Sequence, residues 1–220
     1  VFRLRPGTRA DSIPVKQNLT KHLFTLAQIL LTNAPLGHAA FGYVLYSLYT
    51  RLHLNHPPQG LAALALAFGT QFPDLIDKPL TWTFAVLPYG RSFAHSLFTL
   101  VPLLAILWLV FDTPKKRTLT TAFGIGYASH LLGDNIGPLL RGDFSIPSYL
   151  LWPLTEVPSE GKRSFLEFFL NLQFTPTILF GFALAVFTLG LWVYDGMPGV
   201  KDILKNRPWK ASSANPIEKH

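Results

Sequence analysis

The chain of 220 residues contains no cysteine. Disulfides, thiolate metal sites and a cysteine nucleophile are therefore excluded, and a bound metal would have to rely on nitrogen and oxygen donors. Charge is also scarce: Asp, Glu, Lys and Arg make up 14% of the residues, against about 25% in an ordinary soluble domain. No repeat of fixed period and no low-complexity tract is visible. The first twenty residues are polar and basic and lack an apolar core, so no cleavable signal peptide is expected there.

What the chain does have is apolar and aromatic bulk, with 49% hydrophobic residues and 18 phenylalanines. That balance leans toward a multi-pass protein of the cell membrane. The net charge of +7 comes from scattered basic residues that flank apolar segments. Such a pattern suits membrane lipids with anionic headgroups, and no nucleic-acid partner is expected. Along the chain, a polar arm (1–33) carries a short interfacial helix at 22–31. Spans are expected at 34–52, 92–111, 119–140 and 176–194, each of a length that suits a bilayer core. The segment 57–72 is too short for a full span and is expected to be buried and to end at Pro73. The stretch 77–90, broken by two prolines, reads as re-entrant or interfacial. The expected architecture is an all-α, polytopic membrane helical bundle of about four full spans, one short buried helix and re-entrant segments. It occupies residues 34–195, and a soluble basic tail follows at 196–220.

Ionisable residues stand in or beside these apolar helices at a few places: His38; Asp74, Asp77 and Lys78; Arg91 and His95; His130 and Asp134; and Arg141 and Asp143 in the loop after them. Each has a plain explanation as a cap or an interfacial side chain, and that explanation is kept for His22, His53, His56 and His220. If successive helices run up and down, however, His38, Asp74, Asp77, His95, His130 and Asp134 all fall at one end of the bundle. Independent caps have no reason to gather there. His130 and Asp134 are four apart and share a helix face. Imidazoles and carboxylates without sulfur form a ligand set for a divalent ion, zinc first, with manganese or iron as alternatives. The cation would also neutralise the buried carboxylates. Lys78 and Arg91 lie at the same end and suit an anionic group such as a phosphate.

The order His38, "FPDLID", "RSFAHS", "HLLGD" and "LLWPL" resembles the YdjM-type family of inner-membrane-associated, metal-dependent hydrolases, which owes part of its name to a LexA-binding member. The resemblance covers about residues 34–155, and "LIDKPLTW" with "LLRGDF" is similar to its archaeal branch. The chain departs from the family pattern at "PDLIDKP", where the second aspartate is one residue further on and Lys78 stands where a histidine is common. The resemblance implies a membrane-embedded hydrolase in which His38, Asp74, Asp77, His95, His130 and Asp134 hold the metal. Arg91 and Lys78 would orient an anionic or lipid-linked substrate, with Ser96 in support. Two other readings remain open at this point. One is a metal-independent lipid phosphatase with His130 as nucleophile; the other is a divalent-cation transporter or membrane scaffold.

Overall fold

A computed structural model of the chain describes residues 35–140, 142–144, 146–162, 164 and 176–205. The N-terminal arm with its interfacial helix, and the tail beyond residue 205, lie outside the described residues. Within them the chain is helical, with no strand. The helices are α1 (Pro35–His53), α2 (Ala62–Lys78), α3 (Leu97–Val110), α4 (Pro114–Leu140), α5 (Pro176–Tyr194) and α6 (Val200–Lys205). A π-helical turn (Pro79–Thr83) continues α2, and a 3₁₀ turn (Ser148–Leu151) follows α4.

Helices α2 and α4 form the central pair, α1 packs on both and on α5, and α3 leans on α4. Two glycines set the spacing of the central pair. A Cβ at Gly69 would overlap the carbonyl oxygen of Phe123, and one at Gly126 would overlap the carbonyl oxygen of Leu66 and stand 3.0 Å from the amide nitrogen of Thr70. The two backbones thus touch where any side chain would hold them apart. Gly126→Ala should cost about 3 kcal/mol or more, because the obstacles are main-chain atoms that cannot rotate away; chemical denaturation measures this. Beside this contact, Tyr43, Tyr46, Ala62, Ala63, Leu66 and Ala122 make one apolar cluster, and Leu100, Phe123, Tyr127 and Leu131 make another.

The expectation of four membrane-crossing spans is corrected by the structure. Among the described residues no helix is long and apolar enough to cross a membrane. The segment expected to span from 92 to 111 is helical only for the 14 residues of α3, about 21 Å against a hydrocarbon core of about 30 Å. Its first turn is lost because Asp77 captures the backbone N–H groups of Ser92, Ala94 and His95, and Ser96 then caps the helix by accepting from the amide of Phe98. Helix α4 has 27 residues, but it begins with Lys115, Lys116 and Arg117 and carries His130 and Asp134. Helix α1 carries His38, Arg51 and His53. The stretch read as re-entrant is a π-helical turn and an irregular loop fastened to the bundle. Glu160 fastens that loop, accepting from the amide of Gly90 and the indole N–H of Trp82.

Helix α2 also runs five residues past its expected end, through Pro73 to Lys78. Proline cannot donate to the carbonyl of Gly69 and its ring crowds that turn. The neighbouring Thr70 carbonyl takes a partner from outside the helix, and that partner is His130.

Candidate metal centre

Four elements deliver the site. Helix α1 brings His38 in its first turn, the end of α2 brings Asp74, Asp77 and Lys78, the loop before α3 brings Arg91 and His95, and the second half of α4 brings His130 and Asp134. His38, Asp77, His95, His130 and Asp134 are buried. Solvent reaches the cluster where the side chains of Asp74, Lys78 and Arg91 are 14%, 18% and 26% exposed.

The hydrogen bonds fix the tautomers of two histidines. Nδ1 of His95 lies 2.8 Å from Oδ2 of Asp77, and Nδ1 of His130 lies 2.7 Å from the carbonyl oxygen of Thr70. A carboxylate and a carbonyl only accept, so both Nδ1 atoms carry the proton, and in the neutral rings both Nε2 atoms present bare lone pairs. Those two Nε2 atoms face each other at 3.2 Å. Two lone pairs this close repel unless a cation or a proton stands between them.

Carboxylate oxygens close the same space. Asp74 Oδ1 lies 3.5 Å from Nε2 of His95 and 3.8 Å from Nε2 of His130; Asp134 Oδ2 lies 3.5 Å and 3.8 Å from the same atoms. Ligands about 2.05 Å from a tetrahedral ion stand about 3.3 Å apart, so these separations suit one first-row divalent ion. His38 approaches Asp134 from the other side, its Nε2 3.6 Å from Oδ1, and its ring stacks on that of His130 at 4.1 Å. Nδ1 of His38 is buried and has no hydrogen-bond partner among the described residues, as expected of an atom placed for something other than a protein partner. His38, His130 and Asp134, and likewise Asp74, His95 and His130, are groups that could hold a metal ion.

Each carboxylate has its own cation on the solvent side. Lys78 Nζ is 2.5 Å from Asp74 Oδ2, and Arg91 meets Asp134 through Nε at 3.0 Å and Nη2 at 3.1 Å. The electrostatic consequences differ from residue to residue. Burial, with the neighbouring His38 second, pushes His130 down to about 3 against the pull of Asp134 and Asp74. Burial also lowers His38. For His95 burial acts in the same sense, but its hydrogen bonds to Asp74 and Asp77 outweigh it and raise the value. Burial resists the ionisation of Asp74, yet the contact with His95 and the charge of Lys78 hold it well below the usual carboxylate range. The pair thus offers a neutral His130 and an ionised Asp74, the protonation states in which both ligate.

Ser96 is buried and does not face the cluster. Besides capping α3, its hydroxyl lies 2.5 Å from the carbonyl of Trp152 and 3.3 Å from that of Leu150, tying the 3₁₀ turn to α3. Asp77 spends both oxygens on three backbone amides and on Nδ1 of His95. A nucleophilic His130 oriented by Asp134 does not fit this geometry, because Thr70 rather than Asp134 holds Nδ1 and Asp134 lies toward Nε2.

Sequence reasoning passed over several contributors. Tyr149 stands edge-on to His95 with ring centroids 6.2 Å apart and donates to Asn135 Oδ1 at 2.8 Å. Tyr127, one turn before His130, donates its hydroxyl to the Ala94 carbonyl and so braces the residue before His95. The Thr70 carbonyl had no signal beyond Pro73 three residues later.

A family model described as YdjM inner membrane protein matches residues 34–201, 168 of the 220 positions. The chain belongs to the YdjM inner membrane protein family. The match extends through α5, past the 34–155 on which the motifs alone resemble it, so the last long helix is part of the family's fold. A membrane location follows from the family, and every residue of the cluster lies inside the matched range. No curated protein and no solved structure matches the chain.

Proposed function

We propose that this YdjM-family chain is a metal-dependent hydrolase acting on a lipid-like or other phosphoester substrate at the membrane. The single observation that carries the reading is the pair of bare Nε2 atoms of His95 and His130, 3.2 Å apart and flanked by Asp74 and Asp134. His95, His130, Asp74 and Asp134 would hold the ion, with His38 beside Asp134. Asp77 would be a positioning residue: it keeps the proton of His95 on Nδ1 so that Nε2 stays available. A divalent ion held there would supply Lewis acidity and lower the pKa of bound water toward about 7. Zinc suits the nitrogen–oxygen set, and manganese and iron remain alternatives.

Charge supports an anionic substrate. Asp74, Asp77 and Asp134 contribute three negative charges, and Lys78 and Arg91 two positive ones; a divalent ion brings these groups to a net +1 on the solvent-reached side. Lys78 and Arg91 line that side and would hold a phosphoryl group against the ion. Hydrolysis of bis(4-nitrophenyl) phosphate tests the reading. Exhaustive chelation should abolish turnover, and zinc or manganese should restore it within the same sample. Turnover that survives chelation, or a purified protein that binds no divalent ion, would remove its basis.

A further inference from the structure

The geometry points to an apolar cavity beside the cluster as the seat of the substrate's alkyl chain. This rests on the hydrolase reading and deepens it: the substrate would be a single-chain amphiphile with its phosphoryl head at the cluster and its chain in the cavity. The cavity measures about 260 Å³ and is lined chiefly by Leu131, Leu132, Phe144, Ile146 and Leu150. Asn135 and Asp143 are its polar lining residues. Asn135 is committed elsewhere, donating to the Leu131 carbonyl at 2.7 Å and accepting from Tyr149. An open apolar groove of this size, its amide already satisfied and its Asp143 at an exposed position, suits a hydrocarbon better than a polar ligand.

Its position ties it to the site. Leu131 follows His130, Asn135 follows Asp134, and Leu97, another lining residue, follows Ser96. Successive helical residues point about 100° apart, so cluster and cavity occupy adjoining faces of α4. Tyr149 forms the partition, with His95 on one side and Asn135 on the other. Arg91 pairs at 3.0 Å with Asp134, the residue before the lining Asn135, so the rim that would take an anionic head borders the same face of α4. A head at Lys78 and Arg91 leaves its chain one aromatic ring away from the cavity. Charge complementarity places the head, and apolar burial places the tail.

The zinc-loaded full chain is tested with 4-nitrophenyl octyl phosphate and 4-nitrophenyl methyl phosphate, both below micelle-forming concentrations. In each, water oxygen bonds to phosphorus, the aryl P–O bond breaks, and 4-nitrophenolate, the alkyl phosphate and protons are released. The octyl ester should be preferred in kcat/KM by at least ~10-fold. Phe144→Ser and Ile146→Ser, at side chains 78% and 64% exposed, should shrink that ratio toward one without touching the core. Calorimetric titration with decyl phosphate and ethyl phosphate provides a readout that needs no turnover. Tighter binding of decyl phosphate, weakened by Phe144→Ser, supports the chain site even if neither ester is cleaved, in which case the hydrolase reading alone fails. Equal binding of the two phosphates, or a ratio that neither substitution moves, overturns the chain site and leaves the hydrolase reading standing.

Discussion

Replacing His130 with alanine is expected to cut bound zinc from about one ion per chain to a trace, and to lower phosphoester turnover at least ~10³-fold. His130 is central to the cluster: its Nε2 faces His95 at 3.2 Å and lies within 3.8 Å of both Asp74 and Asp134. The Thr70 carbonyl, fixed in α2, orients it. The substitution leaves a cavity the size of an imidazole and takes from the Thr70 carbonyl the shorter of its two side-chain partners, leaving Gln71 at 3.1 Å, so some loss of stability is also expected. Metal-linked stabilisation separates the two effects. For an ion present at 1,000 times its dissociation constant the wild-type chain should gain about 4 kcal/mol of stability, and His130→Ala should gain nothing. Metal analysis together with thermal melts, with and without zinc, decides the matter. A variant that still melts higher in zinc, and still carries a stoichiometric ion, would show that the ion sits elsewhere.

Asp77→Ala should be the most destabilising single change at this end of the bundle, by about 3–5 kcal/mol. Its carboxylate accepts from the amides of Ser92, Ala94 and His95 at 2.9, 2.8 and 3.2 Å and from His95 Nδ1 at 2.8 Å. Truncation leaves four buried donors without an acceptor, and each carries a desolvation penalty of about 1–3 kcal/mol unless water replaces the oxygen. Asp77→Asn tests the positioning role more gently. One oxygen still accepts, but the amide NH₂ would face donors, and the His95 ring is free to turn or to move its proton to Nε2. Zinc affinity should fall about 10- to 100-fold while the fold persists. Competition against a chromophoric chelator gives the affinity, and urea denaturation of the zinc-free chain gives the stability. Wild-type values in both would show that the carboxylate does not govern His95.

Much of this end of the molecule was legible in the sequence. Up-and-down helices carry His38, Asp74, His95, His130 and Asp134 to one level, and the four-residue spacing of His130 and Asp134 puts both on one face. The presence of helices near 34–52, 119–140 and 176–194 was equally plain. What escaped was set by contacts distant in sequence. The start of α3 moved to Leu97 because a carboxylate fifteen residues before Ser92 competes for the amides of the expected first turn. Apolar content alone therefore overstated the length of that segment, and with it the case for a crossing. Pro73 was read as a stop, yet packing of α2 on α4 carries the helix through it. Tyr149 lay in a loop with no periodicity to mark it, and Glu160 meets its partners across some seventy residues.

The glycine contact between α2 and α4 reaches further than stability. Gly69 immediately precedes Thr70, and Gly126 lies one turn before His130, so the distance between two backbones determines how far His130 projects toward His95. The helix pair acts as a caliper: α4 carries His130, and the end of α2 holds His95 in place through Asp77. Its opening is set by main-chain contact, which yields far less than a side-chain rotamer. If the cluster holds the ion proposed above, that contact would gauge it to a narrow range of ionic radius: equilibrium dialysis should show ions near the size of zinc bound and larger ones such as calcium refused, even though carboxylates are at hand.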